Sequence, residues 1–192
     1  YIIIGAPGTG KTTALANSGL RFPMTESSDS ASVQGVGGTR NCDWWFAEEA
    51  IFLDTAGRYT TQDSDAEADN TAWLSFLKML RKGRSRRPIN GVVLTVSTSS
   101  LLESSPGARD RLLHALRQRL QELQGHLGVN PPVYLMVTKT DLLQGFQEFF
   151  EDLGQRERQQ VLGFTFDLSQ NESLSAIPEK FRALLSSINN RV

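Results

Sequence analysis

Much of what would send this chain outside a cell, into a membrane or onto a polyanion is missing. One cysteine, Cys42, stands among 192 residues. No disulfide framework can exist, and the composition is a cytosolic one. Cys42 reads as a half-buried small residue ahead of a strand rather than as a reactive thiol. The two histidines, His114 and His126, have no metal-like company and read as surface or helix-end residues. No apolar run approaches the roughly 20 residues that cross a bilayer, and no signal peptide is visible. Twenty Lys and Arg offset 21 Asp and Glu, a net charge of −1. That balance implies no strong general attraction to nucleic acid or anionic lipid. The first residue is not Met and already lies in an apolar run. The expectation is therefore one domain, residues 1–192, excised from a longer protein.

What is present begins with Gly5-Ala6-Pro7-Gly8-Thr9-Gly10-Lys11-Thr12, a GxxxxGK[ST] loop between an apolar run, Tyr1 to Ile4, and a helix start. That strand–loop–helix context is what the motif requires. Glycines let consecutive N–H groups turn inward around a phosphate, and the helix N-terminus adds donors and a positive dipole end. Gly5, Pro7, Gly8, Thr9, Gly10, Lys11, Thr12 and Thr13 are the expected phosphate contacts. Lys11 reaches the β and γ phosphates, and the Thr12 hydroxyl binds the bridging Mg²⁺.

Further along, Asp43 to Phe46 and Ala50 to Leu53 read as a hairpin, so one strand is antiparallel to its neighbour. The second run ends in Asp54-Thr55-Ala56-Gly57. An acidic residue at a strand's carboxyl end is placed to hold Mg²⁺, and the Gly57 N–H to meet the γ-phosphate. The polar stretch from Leu20 to Gly38 reads as a loop, disordered or responsive to ligand. Thr39 is the candidate second threonine for the metal and for catalysis, with Thr25 the alternative.

Thr71 to Lys82 has helical periodicity and runs into Arg81-Lys82-Gly83-Arg84-Ser85-Arg86-Arg87. That cluster reads as a solvated helix end, or as a dock for a partner or lipid head groups. Ile89 to Val96 and Pro132 to Val137 read as strands buried on both faces. Ser105 as N-cap and Pro106 at the first helical position open a helix to Leu127. Thr138-Lys139-Thr140-Asp141 follows the later strand, and a helix is expected from about Leu142 to Leu153. Val161 to Phe166 reads as a last strand and Ile177 to Ile188 as a closing helix. The alternation predicts an α/β fold, a P-loop NTPase of Ras-like G-domain layout. Its sheet is mostly parallel and six-stranded, with one antiparallel strand and helices on both faces.

Asp141 carries the choice of base. Guanine offers N1–H and the N2 amine side by side, which a carboxylate accepts bidentately; adenine presents a lone pair there. Lys139 lays its stem along the base, and Thr138 stands where Asn is commoner. GTP is favoured over ATP. After the Asp54–Gly57 motif, many GTPases carry a water-orienting Gln; here stands Arg58, which either stabilises transition-state charge or pairs with a carboxylate. Turnover well below 1 s⁻¹ is expected.

With these residues in view, the chain resembles the TssM/IcmF family, the inner-membrane component of type VI secretion systems. The resemblance rests on GAPGTGKTTAL with NSGLRFP, on GVGGTRNCDWWFAEEAIFLDTAGRYTTQD and on WLSFLKMLRKGRSRRPINGVVLTVS. It implies a cytoplasmic NTPase domain at the inner face of a Gram-negative inner membrane, anchored through segments outside this chain. It also implies a complex with TssL, the lipoprotein TssJ and the baseplate, and no nucleic acid. Two readings follow. In one the domain hydrolyses Mg-nucleotide to drive or time secretion; in the other it is a nucleotide-gated interaction module with little hydrolysis.

Overall fold

The computed structural model describes residues 1–23, 39–63, 65–102, 105–158, 162, 163, 165 and 177–189. Five apolar runs form strands: β1 (Ile2–Ile4), β2 (Cys42–Phe46), β3 (Ile51–Thr55), β4 (Val92–Ser97) and β5 (Val133–Thr138). They make one mixed sheet in the order β2-β3-β1-β4-β5. β2 runs antiparallel to β3, as the hairpin pattern predicts, and the other pairings are parallel. The chain clusters into two compact units, Tyr1–Gln147 and Glu148–Val192. All five strands belong to the first.

Helices α1 (Lys11–Ala16), α2 (Arg58–Thr61), α3 (Ala66–Gly83), α4 (Thr98–Leu102) and α5 (Pro106–Leu127) connect these strands. α3 starts five residues ahead of the expected Thr71, because the Asp65 side chain accepts from the Ala68 N–H at 3.0 Å and caps it. Glu67 and Asp69 then complement its dipole. α5 begins on Ser105 and Pro106 and stops at Gly128, whose φ is 67°. Trp73, Leu77 and Leu80 of α3 and Leu116, Leu123 and Leu127 of α5 pack with Ile2, Ile4, Val92, Leu94 and Val96 in one core. Ile3 points to the opposite face, since neighbouring strand residues alternate. It is buried there.

The expected Ras-like P-loop fold with six strands is corrected to a small α/β domain with a five-stranded mixed sheet. Of the sixth run, Leu162, Gly163 and Thr165 are not in a strand, and the others lie outside the described residues. A glycine inside a short run weakens its strand preference. β5 is consequently an edge strand: Leu135 is 62% exposed and Val133 46%, where burial on both faces was expected. The helix expected over 142–153 reduces to α6 (Phe146–Phe149), behind a left-handed Gly145. The second unit holds α7 (Gln155–Arg158) and α8 (Ile177–Asn189), the latter close to expectation.

Cys42 is half-buried on β2. Burial, then the charges of Asp43 and Asp54, push its thiol from 9.0 up to about 12. At pH 8 the thiolate is therefore scarce in the folded chain. Ellman's reagent is expected to react about a thousandfold more slowly with native protein than with protein in guanidinium chloride. Comparable rates in the two would show the thiol to be accessible and unperturbed.

Candidate functional site

The site grows from the turn between β1 and α1. Gly8 and Gly10 adopt φ of 71° and 83°, a left-handed region that most side chains resist. The Thr9 hydroxyl donates to the Ala6 carbonyl at 2.9 Å and closes the turn. Lys11, the first residue of α1, is buried, and its Nζ donates to the carbonyls of Gly5 at 2.9 Å and Ala6 at 3.2 Å. The loop thus wraps around an ammonium group. Burial lowers the pKa of Lys11, and the charge of Asp54 opposes that shift.

Asp54 reaches the loop through sheet register. β1 and β3 run parallel with Ile3 opposite Asp54, so the carboxylate emerges beside the end of β1. It is fully buried. Its Oδ2 accepts from the Thr12 hydroxyl at 2.5 Å and from the Thr39 hydroxyl at 3.2 Å, and the two hydroxyls lie 3.5 Å apart. Oδ1 is buried with no partner. Burial raises the Asp54 pKa, against the Thr12 hydrogen bond, the Lys11 charge and the Thr39 hydrogen bond. One carboxylate and two hydroxyls, with a carboxylate oxygen left over, suit a hard cation that takes its other ligands from phosphate and water. Among the described residues no cluster of three or more His, Cys, Asp or Glu offers an alternative.

Gly57 caps α2 and lies against the same loop. A Cβ there would sit 2.4 Å from the Pro7 nitrogen and 2.5 Å from its Cα, so the close approach requires glycine. From the other side, the Thr138 hydroxyl donates to the Thr9 carbonyl at 2.5 Å. The Thr138 carbonyl in turn accepts from Thr98 at 2.6 Å. Lys139 takes a left-handed φ of 59°, and Asp141 lies exposed in a 3₁₀ turn, Thr140–Leu142. Among the described residues no hydrogen bond joins their side chains to the loop. Thr13 lies in the first turn of α1, and Thr25 is outside the described residues.

No solved structure matches the chain at a significant level. Residues 66–192 match the family described as the IcmF-related N-terminal domain. This chain belongs to the IcmF-related family. The type VI secretion system component TssM1 of Pseudomonas aeruginosa is 55% identical to the IcmF-related chain over 173 residues, 90% of it. The chain spans 16% of that protein's length. No helix among its described residues is long and apolar enough to cross a membrane.

Arg58 of this IcmF-related domain has its guanidinium engaged. Nη2 donates to Asn41 Oδ1 at 2.6 Å and Nη1 pairs with Asp69 at 3.2 Å. Of the two roles sequence reading left open, the geometry shows pairing with a carboxylate. Asn41 and Asp69 are residues that reading missed. So are Thr55 and Thr95, whose buried hydroxyls donate to the Ile3 and Ile4 carbonyls at 2.6 and 3.2 Å. They hold β3 and β4 against β1 where the loop departs. A hydroxyl residue inside an otherwise aliphatic run, as in VVLTVS, was the available signal.

Proposed function

We propose that this IcmF-related domain binds Mg-nucleotide on the β1–α1 loop, hydrolyses it slowly and acts as a nucleotide-dependent part of a type VI secretion membrane complex. The observation that carries the reading is the convergence of Lys11, Thr12, Thr39 and Asp54, with one carboxylate oxygen of Asp54 buried and unpartnered. Lys11 supplies the cation for the phosphates. Thr12, Thr39 and Asp54 hold Mg²⁺, which when bound neutralises phosphate charge. Loop backbone around Gly8 and Gly10 lies where phosphate oxygens would pack, with Gly57 closing the side.

GTP is the favoured nucleotide, on the guanine-matching chemistry of Asp141. Its strand end is tied to the loop through Thr138 and Thr9. Excess GTP is expected to displace a labelled GTP analogue at least tenfold more effectively than ATP. Equal displacement would reject the base assignment while leaving the phosphate site standing. Partners are proposed to be other membrane-complex and baseplate subunits, TssL and TssJ among them, met through the longer protein at the cytoplasmic face of the inner membrane.

A second reading has support from Arg58. Its guanidinium is held by Asn41 and Asp69, at the position where many GTPases carry a water-orienting Gln. A nucleotide-gated module with little turnover fits that arrangement. Measuring partner affinity with GTP, GDP and neither separates the two; equal affinity in all three states removes the gating idea.

A further inference from the structure

The net charge of the chain is only −1, yet its charge is segregated. From Asn70 to Leu102 there is no acidic residue, while Lys78, Arg81, Lys82, Arg84, Arg86 and Arg87 stand within ten positions. That leaves 14 Lys and Arg against 21 acidic residues elsewhere. All six cations are exposed. They occupy the last turns of α3 and the turn that leads into β4, the end of the sheet away from the β1–α1 loop.

A charge run at a helix end ordinarily offsets the helix dipole. This one continues past that need, because Arg84 caps α3 and Arg86 and Arg87 lie beyond it. The turn is also anchored: Pro88 and Ile89 directly after the arginines are buried. Arg81 donates to the His126 carbonyl at the end of α5, 2.9 Å away. The other five form no ion pair among the described residues. Glu48 and Glu49 in the β2–β3 turn, at this same sheet end, lie toward β3, two strand spacings from β4. That is roughly 10 Å, about one Debye length at physiological salt.

We propose that Lys78, Lys82, Arg84, Arg86 and Arg87 form a docking surface for the phosphate head groups of an anionic lipid bilayer. Arginine's planar fork matches phosphate oxygens bidentately. Within the cation-bearing segment, residues 78–87, Met79 is the one large exposed apolar side chain, whereas a protein partner of fixed shape calls for aromatic or aliphatic anchors at its centre. A spread of cations without such anchors fits a diffuse sheet of negative charge.

The test uses the 192-residue chain without nucleotide, so that its outcome is independent of the nucleotide reading. Sedimentation with phosphatidylglycerol/phosphatidylcholine vesicles is expected to exceed that with phosphatidylcholine alone at least tenfold, and to be lost at 0.5 M salt. With about fivefold per charge near such a surface, Arg84→Gln/Arg86→Gln/Arg87→Gln should weaken binding at least tenfold while keeping the native circular dichroism spectrum. Arg111→Gln/Arg117→Gln/Arg156→Gln, an equal loss of charge elsewhere, should leave it within twofold. Absence of phosphatidylglycerol-dependent binding, or equal losses in the two triple variants, would overturn the proposal.

Discussion

Lys11→Ala is expected to weaken Mg-nucleotide binding at least a hundredfold while the chain remains folded. The side chain ends in the centre of the loop and, among the described residues, donates to two carbonyls, those of Gly5 and Ala6. Burial lowers its pKa, which means that the folded state pays a desolvation cost for keeping this cation there. Removing it takes away hydrogen bonds and an aliphatic stem, but also that cost, so the net change in stability should stay within about 1 kcal/mol. Binding has no such compensation, because Lys11 is the one cation that the loop Gly5–Thr12 carries. Titration of a fluorescent nucleotide, beside thermal unfolding, separates the two effects. Unchanged affinity in a folded variant would remove the loop as the nucleotide site.

Gly57→Ala should act in the opposite sense, on fold and binding together. Alanine tolerates the φ of −59° at this position, so backbone conformation is not the obstacle. The obstacle is space. The added Cβ would meet the Pro7 nitrogen at 2.4 Å, the Pro7 Cα at 2.5 Å and the Ala6 carbonyl carbon at 2.8 Å. All three are backbone atoms, and none can swing aside as a side-chain tip would. Overpacking of this kind costs about 1–3 kcal/mol, or a few degrees to roughly ten in Tm for a chain of this size. The displaced atoms are those of the loop itself, so nucleotide affinity should fall with stability. Gly125→Ala is the control. It lies within α5 with open space around its Cβ position, and helix propensity predicts a gain of about 0.5–1 kcal/mol. If both substitutions behave alike, the close packing of Gly57 on Pro7 is not what holds that junction.

Features written in adjacent residues were legible in the sequence. The boundaries of α5 follow from Ser105, Pro106 and Gly128. The β2–β3 hairpin and the β1–α1 turn follow from short-range patterns that any surroundings would respect. Asp54 was also legible, because parallel pairing of β1 with β3 brings together the carboxyl ends of two strands identifiable one by one. What depended on distant neighbours was not legible. The run Val133 to Val137 is apolar on both faces and reads as buried, but burial needs elements covering both faces, and among the described residues β5 lies at the edge of the sheet, beside β4. The run 161–166 has strand-like residue types, and strand preference yields to context more readily than helix preference. Charge misled in the same way. Arg119 lies on a helix crowded with polar residues and is only 1% exposed; Asp69 is 2% exposed in the first turn of α3. Periodicity alone assigns such residues to solvent, and only the fold shows where they are used.

The segment after Gly57 has a further consequence for how the molecule can respond. α2 is fastened twice: Arg58 to Asp69 on α3 at 3.2 Å, and the Tyr59 carbonyl to Arg119 on α5 at 3.0 Å. Arg119 is itself shared with Glu122, which also accepts from Trp73 in the core. Sliding α2 would take the Tyr59 carbonyl away from the buried Arg119 guanidinium, a cost of about 1.5–3 kcal/mol for a hydrogen bond to a charged group. Thr39, by contrast, meets the site through side-chain contacts of 3.2 and 3.5 Å to Asp54 and Thr12. The two flanks of the carboxylate are thus mechanically unequal, an anvil on one side and a latch on the other, and rearrangement is easier at the latch.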